Sequence, residues 1–136
     1  MIFVTVGTQI PFDRLMRWMD EIAPSLNGEE IVAQSCAGSY VPRNFSTVRF
    51  IEPQQFERLM DEARVVVAHA GIGTILSALR RRKPLVVVAR RADLGEHRND
   101  HQLATASSLA ADYSVAIATD ATSLLADITA APLPAP

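Results

Sequence analysis

A histidine, two glycines and a threonine lie close together in mid-chain, at His69, Gly71, Gly73 and Thr74. They follow an apolar run typical of a buried strand. Apolar residues then have the spacing of a helix with one buried stripe, and they are Ile72, Ile75, Leu76 and Leu79. A helix that starts after a glycine turn offers backbone N–H groups and positive dipole potential to an anion. Glycine suits such a site because a side chain would hold the anion away from the amides. The pattern predicts a phosphate site with His69 and Thr74 as further donors, although a plain tight turn would also fit it.

A second polar cluster follows the predicted fifth strand, and its members are Glu96, His97, Asn99, Asp100, His101 and Gln102. Beside a phosphate site, these donors and acceptors suit sugar hydroxyl groups, whereas a solvated loop would be equally polar. His97 and His101 have the spacing of metal ligands, and His69 is a third candidate. His97 should precede the helix, so a metal site is not favoured. Arg90 and Arg91 follow the strand end and are candidate partners of a diphosphate.

Alternating strands and helices must position both clusters. The sequence predicts strands at residues 2–6, 31–36, 48–51, 65–68, 85–89 and 115–118, with helices between them and a last helix at 123–128. Pro11, Pro53 and Asn99 are predicted helix starts, Asn99 forming a capping box with Gln102. This order predicts an α/β fold, a Rossmann-like doubly wound parallel sheet, with ligands bound beyond the carboxyl ends of the strands.

Two common nucleotide motifs are absent from the sequence. No glycine-lysine-serine or glycine-lysine-threonine ending is present, so the glycine turn is not a P-loop. The dinucleotide fingerprint lacks its third glycine and would belong after the first strand, not the fourth.

Length and composition indicate one ordinary globular domain. The chain has 136 residues, 49% of them hydrophobic, a formal net charge of −2 and one cysteine, Cys36. The charge argues against a nucleic-acid partner bound through a basic surface, and one cysteine excludes an internal disulfide. Without a signal-peptide pattern or an apolar run long enough to cross a bilayer, we expect a cytoplasmic protein. The domain is predicted over residues 1–129, with a flexible alanine- and proline-rich tail over 130–136.

Three segments together resemble a known family, and they are 4–8 (VTVGT), 69–74 (HAGIGT) and 95–102 (GEHRNDHQ). They are similar to the stand-alone C-terminal halves of split GT-B glycosyltransferases. That family includes the catalytic subunit of the two-part UDP-N-acetylglucosamine transferase and bacterial exopolysaccharide glycosyltransferase subunits. The resemblance runs in order over nearly the whole chain, which makes it more specific than any single motif.

The resemblance implies a donor site for a UDP-sugar, inverting transfer and no essential metal or other cofactor. It places Gly71, Gly73 and Thr74 at the diphosphate, faced by Gly7 and Thr8. It likens Phe50 and Ile51 to a uracil-pocket segment, and His101 and Gln102 to residues near the donor sugar. Relatives that bind the ribose through a glutamate have it where this chain has Ser77, so that contact is in question.

The resemblance also implies a heteromer, because a GT-B enzyme works in the cleft between two domains. The expected partner is a membrane-anchored, acceptor-binding subunit that supplies the catalytic base, and the expected acceptor is a polyprenyl-diphosphate glycan. The chain would then be a peripheral protein, recruited by its partner to the cytoplasmic face of the membrane. The alternative from another class is a non-catalytic nucleotide-binding regulatory domain. Neither the sugar nor the acceptor follows from the sequence.

Overall fold

Six parallel strands form one sheet in this computed structural model, which describes residues 1–7, 10–36, 38–96, 101–102, 104–105, 107–108 and 115–132. The strands are β1 (Ile2–Thr5), β2 (Ile31–Gln34), β3 (Thr47–Val48), β4 (Val65–His69), β5 (Leu85–Val88) and β6 (Ala116–Ile117). Their order in the sheet is β3-β2-β1-β4-β5-β6, and the paired strands run parallel. The chain thus builds outward from β1 to β3 and then returns to the other side of β1, the topology of a Rossmann-like sheet.

Helices cover both faces of the sheet. They are α1 (Asp13–Ile22), α2 (Pro53–Glu62), α3 (Ile72–Arg80) and α4 (Ala121–Ala130), with 3₁₀ turns at Ala23–Leu26 and Ala92–Leu94. His101 and Gln102 are also helical. Within the described residues, no helix combines the length and apolar character needed to span a membrane.

The core has two halves because alternate residues of a strand point to opposite faces. Val65 and Val67 of β4 pack in one half with side chains of α1 and α4. Val66 and Ala68 pack in the other half with side chains of α2 and α3. All four of these β4 residues are fully buried, as expected for a central parallel strand. The predicted doubly wound α/β fold is confirmed.

Several element boundaries differ from the predictions. Pro11 lies outside α1, which begins at Asp13 after Phe12 at the N-cap position. The third strand has only two residues, which leaves Phe50 and Ile51 beyond the sheet. The predicted capping box at Asn99 lies outside the described residues. The α2 start at Pro53 is confirmed.

Helix α3 was predicted to bury Ile72, Ile75, Leu76 and Leu79. Ile75 is buried and Leu79 packs partly buried against the core, but Ile72 is 56% exposed and Leu76 is 44% exposed. Small Ala78 occupies the buried stripe beside Ile75 instead. The helix is therefore rotated about its axis relative to the prediction, and its first residue lies at the surface.

The C-terminal helix is longer than predicted. Asp120 accepts a hydrogen bond from the Ser123 backbone N–H at 2.7 Å, and the Ser123 hydroxyl oxygen accepts from the Asp120 N–H at 3.2 Å. This reciprocal capping box starts α4 at Ala121, two residues earlier than predicted. The helix ends at Ala130, one residue past the predicted domain boundary. Residues 133–136 of the predicted tail lie outside the described residues.

Candidate functional site

The glycine turns after β1 and β4 are neighbours because these strands pair directly. In their parallel register Thr5 lies beside Ala68, so Gly7 and the segment from His69 to Gly71 extend from the same edge. This is also the point at which the strand order reverses. In open α/β sheets, ligands bind in the crevice beyond the carboxyl ends of the strands at such a point. The fold therefore places the predicted phosphate site where a ligand site is expected.

Two glycines enclose the ring of His69. A Cβ atom on Gly71 would lie 2.3 Å from His69 Cε1, and one on Gly7 would lie 3.0 Å from His69 Nε2. Gly7 also has a φ of +80°, a conformation that side chains rarely adopt. Both positions thus need glycine, and the ring edge that carries Nε2 lies against the two turns.

The start of α3 presents backbone amides at this edge. Gly71 is the N-cap residue, and the first helical hydrogen bond runs from Ile75 N–H to the Gly71 carbonyl at 3.1 Å. The N–H groups of the three residues between them precede the first amide of the helix ladder. Gly73 is exposed, and a Cβ added there would meet nothing within 4 Å. An anion could therefore approach these amides without obstruction from residue 73.

Gln102 links this site to the strand next to β4. The Arg90 backbone N–H donates to Gln102 Oε1 at 3.1 Å, and Gln102 Nε2 lies 3.2 Å from His69 Nδ1. Gln102 is 7% exposed. The structure thus brings Gln102 and His69 together, as the prediction of a single site requires, while a contact of Gln102 with the sugar stays a prediction.

Arg90 does not face a ligand, which contradicts its predicted contact with the diphosphate. Its guanidinium donates to the carbonyl oxygens of Val6 and Pro11, both at 2.7 Å, and also to that of Ile10. The side chain is 2% exposed and lies over the Phe12 ring at 4.9 Å. Burial lowers the pKa of Arg90 to about 10, so the group keeps its charge at neutral pH. Arg90 instead holds the segment that connects β1 to α1.

Glu96 is likewise occupied within the protein, against its predicted contact with the donor. Arg14 donates to both carboxylate oxygens, at 2.8 and 2.9 Å, and the Arg91 backbone N–H adds a third bond at 3.0 Å. Arg14 also donates to the Ala89 carbonyl at 2.8 Å. The pair fastens the loop after β5 to α1. The Arg91 side chain pairs with Asp93 at 2.6 Å.

The remaining predicted residues are distributed around the edge. Thr74 and Ser77 are half-buried on α3, and Ser77 Oγ accepts from Arg81 Nη1 at 2.6 Å, which leaves its own proton to donate. Phe50 is 59% exposed and His101 is exposed, while Ile51 packs partly against the core. Thr8 and His97 lie outside the described residues. Among the residues that are described, no three His, Cys, Asp or Glu side chains form a metal-binding group.

Sequence reasoning missed two charged residues of α1, namely Arg14, which holds the loop after β5, and Asp20, which holds the segment that connects β2 to β3. The Asp20 carboxylate is buried and accepts hydrogen bonds from the Tyr40 hydroxyl at 2.6 Å and from the backbone N–H groups of Arg43 and Asn44. The only sequence signal is that each charge lies beside the apolar stripe of α1. A charged residue at such a position can be either solvated or buried, so the sequence does not predict which.

The order of strands, the two glycine turns and the open start of α3 define a Rossmann-like domain with unobstructed backbone amides at its switch point. The chain belongs to the glycosyltransferase family 28 C-terminal domain, whose sequence profile matches residues 1–135.

A human relative and two solved structures illustrate this membership. The human UDP-N-acetylglucosamine transferase subunit ALG13 is 34% identical over 118 residues, which are 79% of this chain but only 10% of that protein. The solution structure of ALG13 matches 95% of this chain and 83% of its own with a TM-score of 0.64 and 23% identity. The crystal structure of the glycotransferase of kitacinnamycin matches 95% of this chain and 34% of its own, with a TM-score of 0.66 and 20% identity. These two structural matches support the fold.

Proposed function

We propose that this chain is the donor-binding, catalytic subunit of a two-part inverting glycosyltransferase that uses a UDP-sugar. The observation that carries the proposal is the unobstructed first turn of α3, beside Gly7 at the switch point of a family 28 domain. The description of the human relative as a subunit of a UDP-N-acetylglucosamine transferase supports both the nucleotide and the two-part assembly.

The chain's part in the reaction is electrostatic. During inverting transfer, an acceptor oxygen attacks the anomeric carbon while the bond from that carbon to the UDP oxygen breaks. Negative charge then grows on the diphosphate, and the α3 amides together with Thr74 stabilise it more strongly than in the ground state. The attacking hydroxyl gives its proton to a base on the partner subunit. Under this proposal no metal is required, because the helix terminus takes over its role.

We extend the proposal to the assembly. The partner is a membrane-anchored subunit that binds a polyprenyl-diphosphate glycan, and it recruits this chain to the cytoplasmic face of the membrane. The donor sugar is a hexose, a uronic acid or an N-acetylhexosamine, used in polysaccharide synthesis such as that of an exopolysaccharide. The net charge of −2 agrees with a site that does not bind nucleic acid.

The variant Gly73→Asp tests the diphosphate seat. The new carboxylate has room, and an acidic residue suits the first turn of a helix, so the fold should be kept. It would occupy and repel the position of the diphosphate, and we expect UDP affinity to fall by at least about 100-fold, close to abolition. Isothermal titration measures the affinity, and thermal unfolding checks the fold.

Thr122→Asp is the matched control for Gly73→Asp. It adds the same charge to the first turn of α4, beside the edge strand and away from the switch point. We expect its UDP affinity to equal that of the wild type. Unchanged affinity in Gly73→Asp would contradict the proposed seat.

Reconstitution with the partner tests the activity. The partner is isolated by co-purification, and a panel of UDP-sugars is tried with a polyprenyl-diphosphate acceptor. We expect transfer from one donor class, with activity that survives a chelator. Absence of transfer with every donor would favour the regulatory alternative. Activity that is lost to the chelator and restored by zinc would favour a metal-dependent enzyme that uses His69, His97 and His101.

A further inference from the structure

Gln34, the last residue of β2, has a buried polar side chain that other protein groups satisfy only in part. It is 3% exposed, and its Oε1 accepts a hydrogen bond from the Thr5 hydroxyl at 2.7 Å. Within the part of the chain that the structure describes, its Nε2 makes no hydrogen bond. A buried amide end without a partner is costly, and such groups in folded proteins usually meet a water molecule or a ligand.

Thr5 determines which end of the Gln34 amide is left without a partner. Thr5 is fully buried, and among the described residues its hydroxyl bonds only to Gln34. If the amide were reversed, its NH₂ group would donate to the Thr5 oxygen, and the Thr5 proton would then lack an acceptor. The observed orientation avoids this second unpaired donor. The free end of Gln34 is therefore the NH₂ group, which can donate but cannot accept.

The strand register places this donor in a row of side chains at the carboxyl edge of the sheet. Gln34 lies beside Thr5 of β1 and Val48 of β3, and Thr5 lies beside Ala68 of β4. Residues in register point to the same face of a sheet. Ala68 packs in the half of the core that contains side chains of α2 and α3. The donor thus lies on that face, at the edge where open α/β sheets bind their ligands.

Exposed apolar side chains continue this row along the chain. Val48 is 46% exposed, and Phe50, two residues further on, is 59% exposed. A flat aromatic ligand can stack on an exposed ring. At its edge, the same ligand can accept a hydrogen bond from a buried amide if it carries a carbonyl group. A nucleobase such as uracil combines these two properties.

We propose that the Gln34 NH₂ group donates to a carbonyl oxygen of the uracil base of the donor, while Phe50 contacts the ring. The identity of the nucleotide rests on the proposed function, whereas the unpaired donor is a feature of the fold itself. Gln34 is then a specificity residue, because it favours a base that presents a carbonyl acceptor at this position. A bound water molecule is the alternative partner of the amide.

The double variant Thr5→Val/Gln34→Met removes the hydrogen-bonded pair as a unit. Both new side chains are apolar and similar in size to the old ones, so neither leaves a polar partner behind and the fold should be kept. We expect UDP affinity to fall by about tenfold, and the affinity for inorganic pyrophosphate, which has no base, to stay at the wild-type value. NMR titration of the full chain measures both affinities. The control Gln55→Met, at an exposed position on α2, should bind both ligands like the wild type.

Two further measurements separate a ligand contact from a purely structural role of Gln34. In the ¹⁵N-labelled wild type, the side-chain NH₂ signals are assigned through their correlation with the backbone of Gln34. We expect UDP to shift these signals and pyrophosphate to leave them in place. Removal of a purely structural pair should lower the thermal unfolding midpoint, whereas removal of an unpaired donor together with Thr5 should leave the midpoint equal or higher.

The outcomes distinguish this inference from the proposed function. UDP that binds without moving the Gln34 NH₂ signals, or that binds the folded double variant with unchanged affinity, overturns the base contact and leaves the proposed function intact. Equal losses of UDP and pyrophosphate affinity in the double variant also overturn it. A wild type that binds neither ligand contradicts the proposed function and this inference together. If the double variant does not fold, the response of the wild-type NH₂ signals to UDP decides.

Discussion

Gly71 and Gly73 have different roles, although the sequence suggests one role for both. Gly71 makes room for the His69 ring, whereas a side chain on Gly73 would extend into open space. An anion site with bare amides therefore depends chiefly on Gly73, and the position of His69 depends on Gly71 and Gly7. The spacing of glycines in a sequence cannot separate these roles, because it does not show that the His69 ring turns towards Gly71 and away from Gly73.

Asp20 should make the stability of the protein depend on pH in the acidic range. Burial raises the pKa of its carboxyl group, but hydrogen bonds from Tyr40, Arg43 and Asn44 outweigh burial and lower it from 3.8 to about 2. Because the folded-state pKa is the lower one, the stabilisation is complete above about pH 4 and is lost as the pH falls towards 2.

The comparison with Asp20→Asn tests this dependence. The amide lacks the charge, and its NH₂ group would face donors, so we expect a loss of about 1 to 3 kcal/mol at pH 7. The difference from the wild type should shrink as the pH falls from 4 to 2, measured by urea unfolding. A difference that stays constant over this range would contradict the role of the charge.

The capping box of α4 should contribute measurably to stability. Asp120→Ala removes the acceptor of the Ser123 N–H, and we expect a loss of about 1 kcal/mol in the free energy of unfolding. Thr122→Ala, at an exposed neighbouring position, is the control and should change stability by less than about 0.5 kcal/mol. Equal effects of the two substitutions would argue against the cap.

Strands and helices with a clear apolar pattern or start residue were predictable, because the residues that indicate each element lie within that element. The apolar run of β4 and the proline at the start of α2 are examples. Parallel strands separated by helices also restrict the topology, which is why the sheet edge that bears the glycine turns could be inferred. The exposure of Ile72 and Leu76 was missed, since an apolar residue near a helix start looks the same whether buried or exposed.

The site was predicted less well where its partners are backbone atoms. Arg90 was expected to meet a phosphate, because nothing in the sequence shows that the carbonyl groups of Val6, Ile10 and Pro11 converge on it. Glu96 pairs with Arg14, which is 82 positions away in the chain. Such contacts depend on the packing of the whole molecule, and one sequence gives no local sign of them.

The contacts of Arg64 lie at the edge of the sheet opposite to the candidate site. Arg64 precedes β4 at the amino edge and donates to Glu29 at 2.7 and 2.8 Å and to the carbonyl oxygens of Ile128 and Ala131. The hydrogen bond from Arg64 lowers the pKa of Glu29. These contacts join the starts of β2 and β4 to the end of α4.

Replacement of Arg64 should therefore separate folding from binding. We expect Arg64→Met to lose about 2 to 4 kcal/mol of stability, because Glu29 and two carbonyl groups lose their donor. UDP affinity at a temperature where the variant is folded should match the wild type, as measured by isothermal titration. Arg58→Met, at an exposed position on α2, is the control and should leave both quantities unchanged. A loss of affinity in Arg64→Met would show that the two edges are coupled.

The Arg90 guanidinium ties the segment after β1 to the strand that carries it. An opening motion cannot move the segment after β1 without the segment that carries Arg90. Such a motion would leave a buried cation without its carbonyl acceptors, which is costly. Any breathing motion should then carry both segments as one body, and hydrogen exchange would report a common opening rate for Val6 and Ala89. Under the proposed function, entry of the nucleotide would accordingly depend on motion elsewhere, such as at the surface of α3.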